Sequence, residues 1–253
     1  HLQRAPLGAD VFAAAAIAWA LFGLAAVFFL AVGRAMHLAP GTVGALTLTG
    51  GLANTSFVGI PMIEAFYGTG GVALGLVIDQ LGSYLALATM GILVAALYSG
   101  GRPSARAVVR KIVTFPPLIA VVAAFALRPL EYPDWLTGLL ARLGDTLAPL
   151  ALASVGMQLR LADAAGRRAK LAIGLAFKLV LAPALLVAGW AAAFGIDGPH
   201  ARIVLFEAAM APMIGAAIVA TEHKLDPPLT ALMVGIGIPL SFLTVPVWWW
   251  VLE

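Results

Sequence analysis

A broken apolar run is the strongest constraint on how this chain folds. Residues 42–67 are long enough and apolar enough to cross a lipid bilayer as one helix of about 20 residues. Yet Asn54-Thr55-Ser56-Phe57-Val58-Gly59-Ile60-Pro61 places an amide, two hydroxyls, a glycine and a proline in the middle of that run. Pro61 removes a backbone donor and clashes with the preceding turn, so the spacing predicts a kink or break at this proline. At membrane depth a broken helix persists only where protein or a water-filled cavity covers the freed backbone groups. The stretch therefore reads as half of a binding site.

Composition supports the membrane reading. Of 253 residues, 62% are hydrophobic and 11% charged, with a mean hydropathy of +1.01. Soluble domains carry about 25% charged residues, so this chain cannot dress a water-facing surface of its size. The apolar runs are continuous rather than alternating, which points to a polytopic all-α membrane protein and away from a β-barrel. The formal charge of +3 sits mostly in short loops, so nucleic acid is not an expected partner. With no cysteine there is no thiolate chemistry. His1, His37, His200 and His223 show no metal-ligand spacing. No glycine-rich phosphate loop and no Ser/His/Asp arrangement is present, so neither ATP hydrolysis nor another enzymatic activity is expected.

Eight spans are expected, at about 8–33, 42–67, 71–98, 108–127, 137–159, 170–194, 200–221 and 227–251. The loops after the odd-numbered spans hold ten basic residues: Arg34, Arg102, Arg106, Arg110, Lys111, Arg160, Arg167, Arg168, Lys170 and Lys224. The other side holds four, Arg4, Arg128, Arg142 and Arg202. The positive-inside rule then puts both ends of this chain on the non-cytoplasmic side of the cell's inner (plasma) membrane. Trp248, Trp249 and Trp250 read as an interfacial belt.

A second proline-marked run echoes the first. Pro61-Met62-Ile63-Glu64-Ala65 in span two resembles Pro212-Met213-Ile214-Gly215-Ala216 in span seven. Each is the middle span of a three-span group, and the two groups enter the membrane from opposite sides. Two copies of opposite polarity with broken middle helices are the signature of an inverted-repeat transporter. Residues 1–98 form the first expected repeat and 99–253 the second, which has two extra spans. The chain opens on His1 rather than Met. That asymmetry predicts a five-plus-five protein whose first two helices are missing here, so that eight spans of ten are present.

These residues resemble the auxin efflux carrier family of membrane transporters, whose bacterial members are described as malonate, malate or other organic-acid permeases. The likeness rests on Asn54–Pro61, Tyr67-Gly68, Asp79-Gln80, Lys178 to Pro183, and Glu207-Ala208-Ala209-Met210-Ala211-Pro212, and it covers nearly the whole chain. It implies ten spans in two inverted repeats, with two broken helices crossing at the centre, as in the bile acid sodium symporter fold. This sequence departs from the pattern near the second break, where Ala211 and Gly215 replace a proline and an asparagine common in the family. The resemblance implies alternating-access transport of a small organic anion, with H+ or Na+ as the coupling ion and no other cofactor. The expected partners are the anion, the lipid bilayer and a second copy of the chain. The alternative is a membrane sensor or scaffold that keeps the fold without transporting.

Four ionisable residues lie within or near spans, where a charge costs about 2.5–3.5 kcal/mol at the centre. Asn54 is the first substrate-binding candidate, because its amide can donate to a carboxylate; the plainer reading is that it satisfies backbone freed by the break. Thr55 and Ser56 either bind substrate or join helices. Gly59, Pro61 and Pro212 are expected to shape the site. Gln80 either binds substrate or, with Asp79, braces span three. Asp79, Lys178 and Glu207 are candidates for coupling or charge pairing. Lys178 either snorkels to the membrane edge or offers its charge to an anion or an acid such as Asp79. Glu64 lies towards a span end and is set aside. Most binding is expected at the first break, with the second supplying geometry.

Overall fold

In a computed structural model the chain is helical, and it describes residues 9–100, 105–114, 116–127, 130, 132–146, 150, 153, 157, 164–196 and 198–253. Arg4, Arg102, Arg128 and Arg160 of the charge pattern, and most of the last third of the fifth expected span, lie outside the described residues.

Helix α1 (Ala9–Ala35) crosses without interruption. Helix α2 (Pro40–Gly51) is followed by an extended step, a π-helical turn (Thr55–Gly59) and α3 (Ile60–Tyr67). The chain reverses at Gly68, whose φ of 76° is natural only for glycine. It returns through α4 (Val72–Val77), two π-helical segments (Ile78–Tyr84 and Leu87–Gly91) and α5 (Ile92–Tyr98). Three helices follow, α6 (Ala105–Val113), α7 (Pro116–Ala126) and α8 (Asp134–Asp145). Then come α9 (Arg168–Ala176), a π-helical turn (Phe177–Leu181) and α10 (Ala182–Phe194). Helix α11 (Pro199–Ala208) is interrupted before α12 (Ile214–Glu222), and α13 (Pro227–Leu252) closes the chain.

Among the described residues four segments are long and apolar enough to span a membrane unbroken: Ala14–Ala35, Thr69–Tyr98, Arg168–Phe194 and Pro227–Leu252. They coincide with expected spans one, three, six and eight. Among the described residues, expected spans two and seven are interrupted by a non-helical step, and expected span four (108–127) is shared between α6 and α7.

The first break does not fall at Pro61. It lies at residues 52–54, and Pro61 sits in the first turn of α3. The π-helical turn runs straight into α3, so Pro61 lies inside a continuous helix, and just before it the ladder is widened, with Ile60 N–H donating to the Thr55 carbonyl. What ends α2 is Gly50-Gly51 followed by Leu52 in extended conformation. The sequence echo therefore aligns unlike positions, since Pro212 lies inside the second break and Pro61 beyond the first.

Lipid is as apolar as leucine, so these helices gain little from burying apolar surface against one another and depend on close packing. The centre is filled by Phe28, Phe29 and Phe177, with ring centroids 4.5–5.1 Å apart. Two π-helical segments receive an indole N–H from a neighbouring helix: Trp19 donates to the Leu81 carbonyl (3.2 Å) and Trp248 to that of Leu179 (2.8 Å). Of the expected tryptophan belt, then, Trp248 is tied inward, Trp249 is half-buried against Phe66, and Trp250 alone is widely exposed.

Candidate functional site

The two breaks meet. Ala53 and Pro212 form an isolated antiparallel bridge. Asn54 N–H donates to the Ala211 carbonyl (2.8 Å), and Met213 N–H donates to that of Leu52 (3.1 Å). The pairing is locally two-fold about Ala53 and Pro212, with 52 against 213 and 54 against 211. It satisfies four backbone groups that the interruptions would leave bare at membrane depth. Pro212 contributes no donor, which the bridge does not require of it. Its ring packs on Gly237 of α13, where a Cβ would come within 2.8 Å of it.

From this junction α3, through its π-helical turn, and α12 run outward with their N-termini facing inward. The first N–H groups of a helix have no acceptor within it and carry a partial positive charge. The two starts differ in how that is met. At the first, Asn54 acts as N-cap: its Oδ1 accepts from Phe57 N–H at 3.1 Å. This fixes the side-chain orientation and leaves Nδ2, in a residue only 1% exposed, without a partner. At the second, Met213 occupies the cap position and no side chain caps the helix.

Between the two starts lies a cavity of about 70 Å³, lined by Asn54, Thr55, Ser56 and Phe57 from the first break, by Met213, Ile214, Gly215 and Ile218 from the second, and by Tyr84. It has room for roughly five waters or a few heavy atoms. Both breaks thus contribute walls, and Tyr84 joins them although no sequence pattern marked it.

Asp79 stands behind this lining. Its Oδ1 accepts from Thr55 Oγ1 (2.6 Å) and from the Ser56 hydroxyl, while Oδ2 accepts from Gln80 Nε2 (2.7 Å). The carboxylate is 1% exposed, and three donors answer its burial. It clamps the first turn after the break to the π-helical segment of the returning span. Gln80 is turned to Asp79 and does not line the cavity.

The second charged group lies one turn before the other break. Lys178 is fully buried, on the π-helical turn of expected span six, and its Nζ donates to the Ala208 carbonyl at 3.4 Å. It does not snorkel, and among the described residues neither ion pair involves it. A cation at the C-terminal end of α11 complements that helix's dipole. Glu207, beside it and 1% exposed, has no hydrogen-bond partner on either carboxylate oxygen. The carboxylate is seated against Gly59, where any Cβ would overlap it, and within 3.5 Å of where one would stand on Gly75. Gly59 thus shapes the place of Glu207 rather than the cavity. Glu64 is exposed near the end of α3.

These features define a helical membrane protein in which two interrupted spans pair around a small cavity, with buried charges on the helices that support them. The chain belongs to the membrane transport protein family, whose profile matches residues 4–249. It is 26% identical over 216 residues to a protein of Methanothermobacter thermautotrophicus described as an uncharacterized transporter, covering 85% of this chain and 70% of that one. A second relative so described, from Methanocaldococcus jannaschii, is 26% identical over 221 residues, covering 83% and 68%. The protein is a multi-pass membrane transporter.

Proposed function

We propose that this transporter moves small organic anions, carboxylates of the auxin efflux carrier type, by alternating access around the paired breaks. The carrying observation is the Asn54 amide: buried, unpartnered, and held by its own cap bond at a cavity onto which two helix N-termini open. Donors and positive dipole ends converge there without a resident acceptor, which suits a carboxylate. On this reading Thr55, Ser56 and Gly215 shape the cavity, Asp79 and Gln80 position the first break, and Pro212 and Pro61 serve its geometry. Glu207 carries the coupling H+ or Na+, with Lys178 balancing its charge. Residues 1–98 and 99–253 form inverted repeats that rock against each other in the plasma membrane, as a homodimer with the described ends outside.

The test is flux of labelled malonate, malate and succinate in proteoliposomes under imposed proton, sodium or potential gradients. Uptake of at least one acid, reduced tenfold or more by Asn54→Ala, is the expected result. Binding without flux favours a sensor that keeps the fold, and no effect of Asn54→Ala on measured flux removes the cavity from the mechanism.

A further inference from the structure

At the far end of α3 a second group of polar atoms lacks partners. Tyr67 Oη, Arg202 Nε and Trp249 Nε1 are each buried with no hydrogen-bond partner. They come from three elements, the last residue of α3, the first turn of α11 and the last turn of α13. A ring of contacts gathers them. Tyr67 packs edge-on to Phe206, with centroids 5.2 Å apart, and Phe206 lies one turn from Arg202 on the same helix face. Phe66 touches both Phe206 (5.7 Å) and Trp249 (5.4 Å). Glu253, one turn beyond Trp249, accepts from Arg202 Nη1 at 2.8 Å. The Arg202 and Glu253 charges both act on the Tyr67 phenol.

Buried polar groups are ordinarily satisfied, and three unsatisfied donors around one connected set of rings ask for acceptors. Guanidinium and indole N–H groups donate only, and the phenol donates most readily, so the deficit is one of acceptor oxygens. The rim is reachable, since the Arg202 and Glu253 side chains are 31% and 39% exposed.

We propose that Tyr67, Arg202 and Trp249 form a second oxyanion-binding site, separate from the cavity at the breaks, which Glu253 covers until a carboxylate or phosphate group displaces it. Arg202 Nε and the indole N–H take the oxyanion, and the Tyr67 hydroxyl completes the set. Glu253 is a competitor, because its carboxylate holds the same guanidinium. The oxyanion comes either from a soluble acid or from a lipid headgroup at the membrane edge.

Calorimetric titration of the purified protein with inorganic phosphate and with malonate tests this, with melting temperature checked for each variant. Tyr67→Phe and Trp249→Phe keep the rings and remove the donors. Each weakens phosphate binding at least fivefold, whereas Glu253→Gln tightens it at least threefold. Asn54→Ala leaves the phosphate isotherm unchanged, so failure here is distinguishable from failure of the transport reading. Repeating the titration in phosphatidylglycerol nanodiscs separates the sources: an undiminished heat marks a soluble anion, and a heat lost in nanodiscs but present in detergent marks a headgroup. No phosphate binding in detergent, or equal affinities in wild type, Tyr67→Phe, Trp249→Phe and Glu253→Gln, overturns the site and leaves ordered water as the filling.

Discussion

The two breaks share one backbone geometry and reach it by opposite chemistry. At the first, the side chain of Asn54 caps the new helix, and Thr55 and Ser56 anchor it to Asp79. At the second, Ala211, Pro212 and Met213 offer no side-chain hydrogen bond, and α12 begins uncapped. The polar break closes its own end and the apolar break leaves its end open. A ligand between them meets one fixed amide from the first and free backbone N–H groups from the second. Sequence polarity alone places most of the binding surface at the first and gives the second, with Pro212, mainly geometry, whereas the cavity has walls from both.

Asn54→Asp breaks this comparison most sharply. Aspartate caps as well as asparagine, so the helix start is kept, but the donor facing the cavity becomes an acceptor. Malonate flux per folded molecule in proteoliposomes is expected to fall about a hundredfold, equivalent to about 2.7 kcal/mol, with a lower melting temperature besides, since a carboxylate buried at this depth costs about 2.5–3.5 kcal/mol. A large loss of stability with flux retained per folded molecule means that Asn54 serves the cap alone.

Gly59→Ala probes what the second break lends to the first. The new methyl group overlaps the Glu207 carboxylate, and overpacking of this kind costs about 1–3 kcal/mol. Thermal unfolding in detergent reads the loss. In the double variant with Glu207→Ala at least half of it is recovered, because the two residues share one space. Strict additivity of the two changes contradicts that seating.

Thr55→Ala and Ser56→Ala each remove one donor from Asp79 and are expected to cost about 1 kcal/mol. The pair loses more than the sum if, in each single variant, the remaining hydroxyl takes over Oδ1, and unfolding midpoints of the three variants decide this. The smallest effect belongs to Gly215→Ala. A Cβ there stands 3.1 Å from Leu87 Cδ2 and 3.5 Å from Met213 Cε, the latter on the cavity wall, so stability moves by under about 1.5 kcal/mol. The ratio of malate to malonate flux is expected to fall a few-fold, because the cavity narrows against the larger acid. An unchanged ratio places the selecting wall elsewhere.

Much of the fold was legible because its signals are local. Length and hydropathy located the four unbroken spans, and the density of polar residues after Ala53 marked the first interruption. The non-helical step lies at residues 52–54 rather than at Pro61, which is accommodated inside the helix by the π-helical turn that precedes it. Gly50-Gly51, the actual end of α2, resembles any small-residue packing surface of a membrane helix. The Asp79 clamp was half legible: the Asp-Gln pair stood out, but its partners lie 23 and 24 residues away in sequence. Tyr84 and the free start of α12 gave no signal at all. A cavity wall is defined by what faces it across space, and an uncapped helix is marked by a missing residue type.

The central claim is that an anion sits between the two helix starts. Bromomalonate carries an anomalous scatterer on a three-carbon diacid, so diffraction from crystals grown with it locates the ligand directly. The account predicts a bromine peak inside the cavity bounded by Asn54, Tyr84 and Gly215, with carboxylate density against Asn54 Nδ2 and the first N–H groups of α12. A fully occupied ligand elsewhere, with that cavity empty, contradicts it.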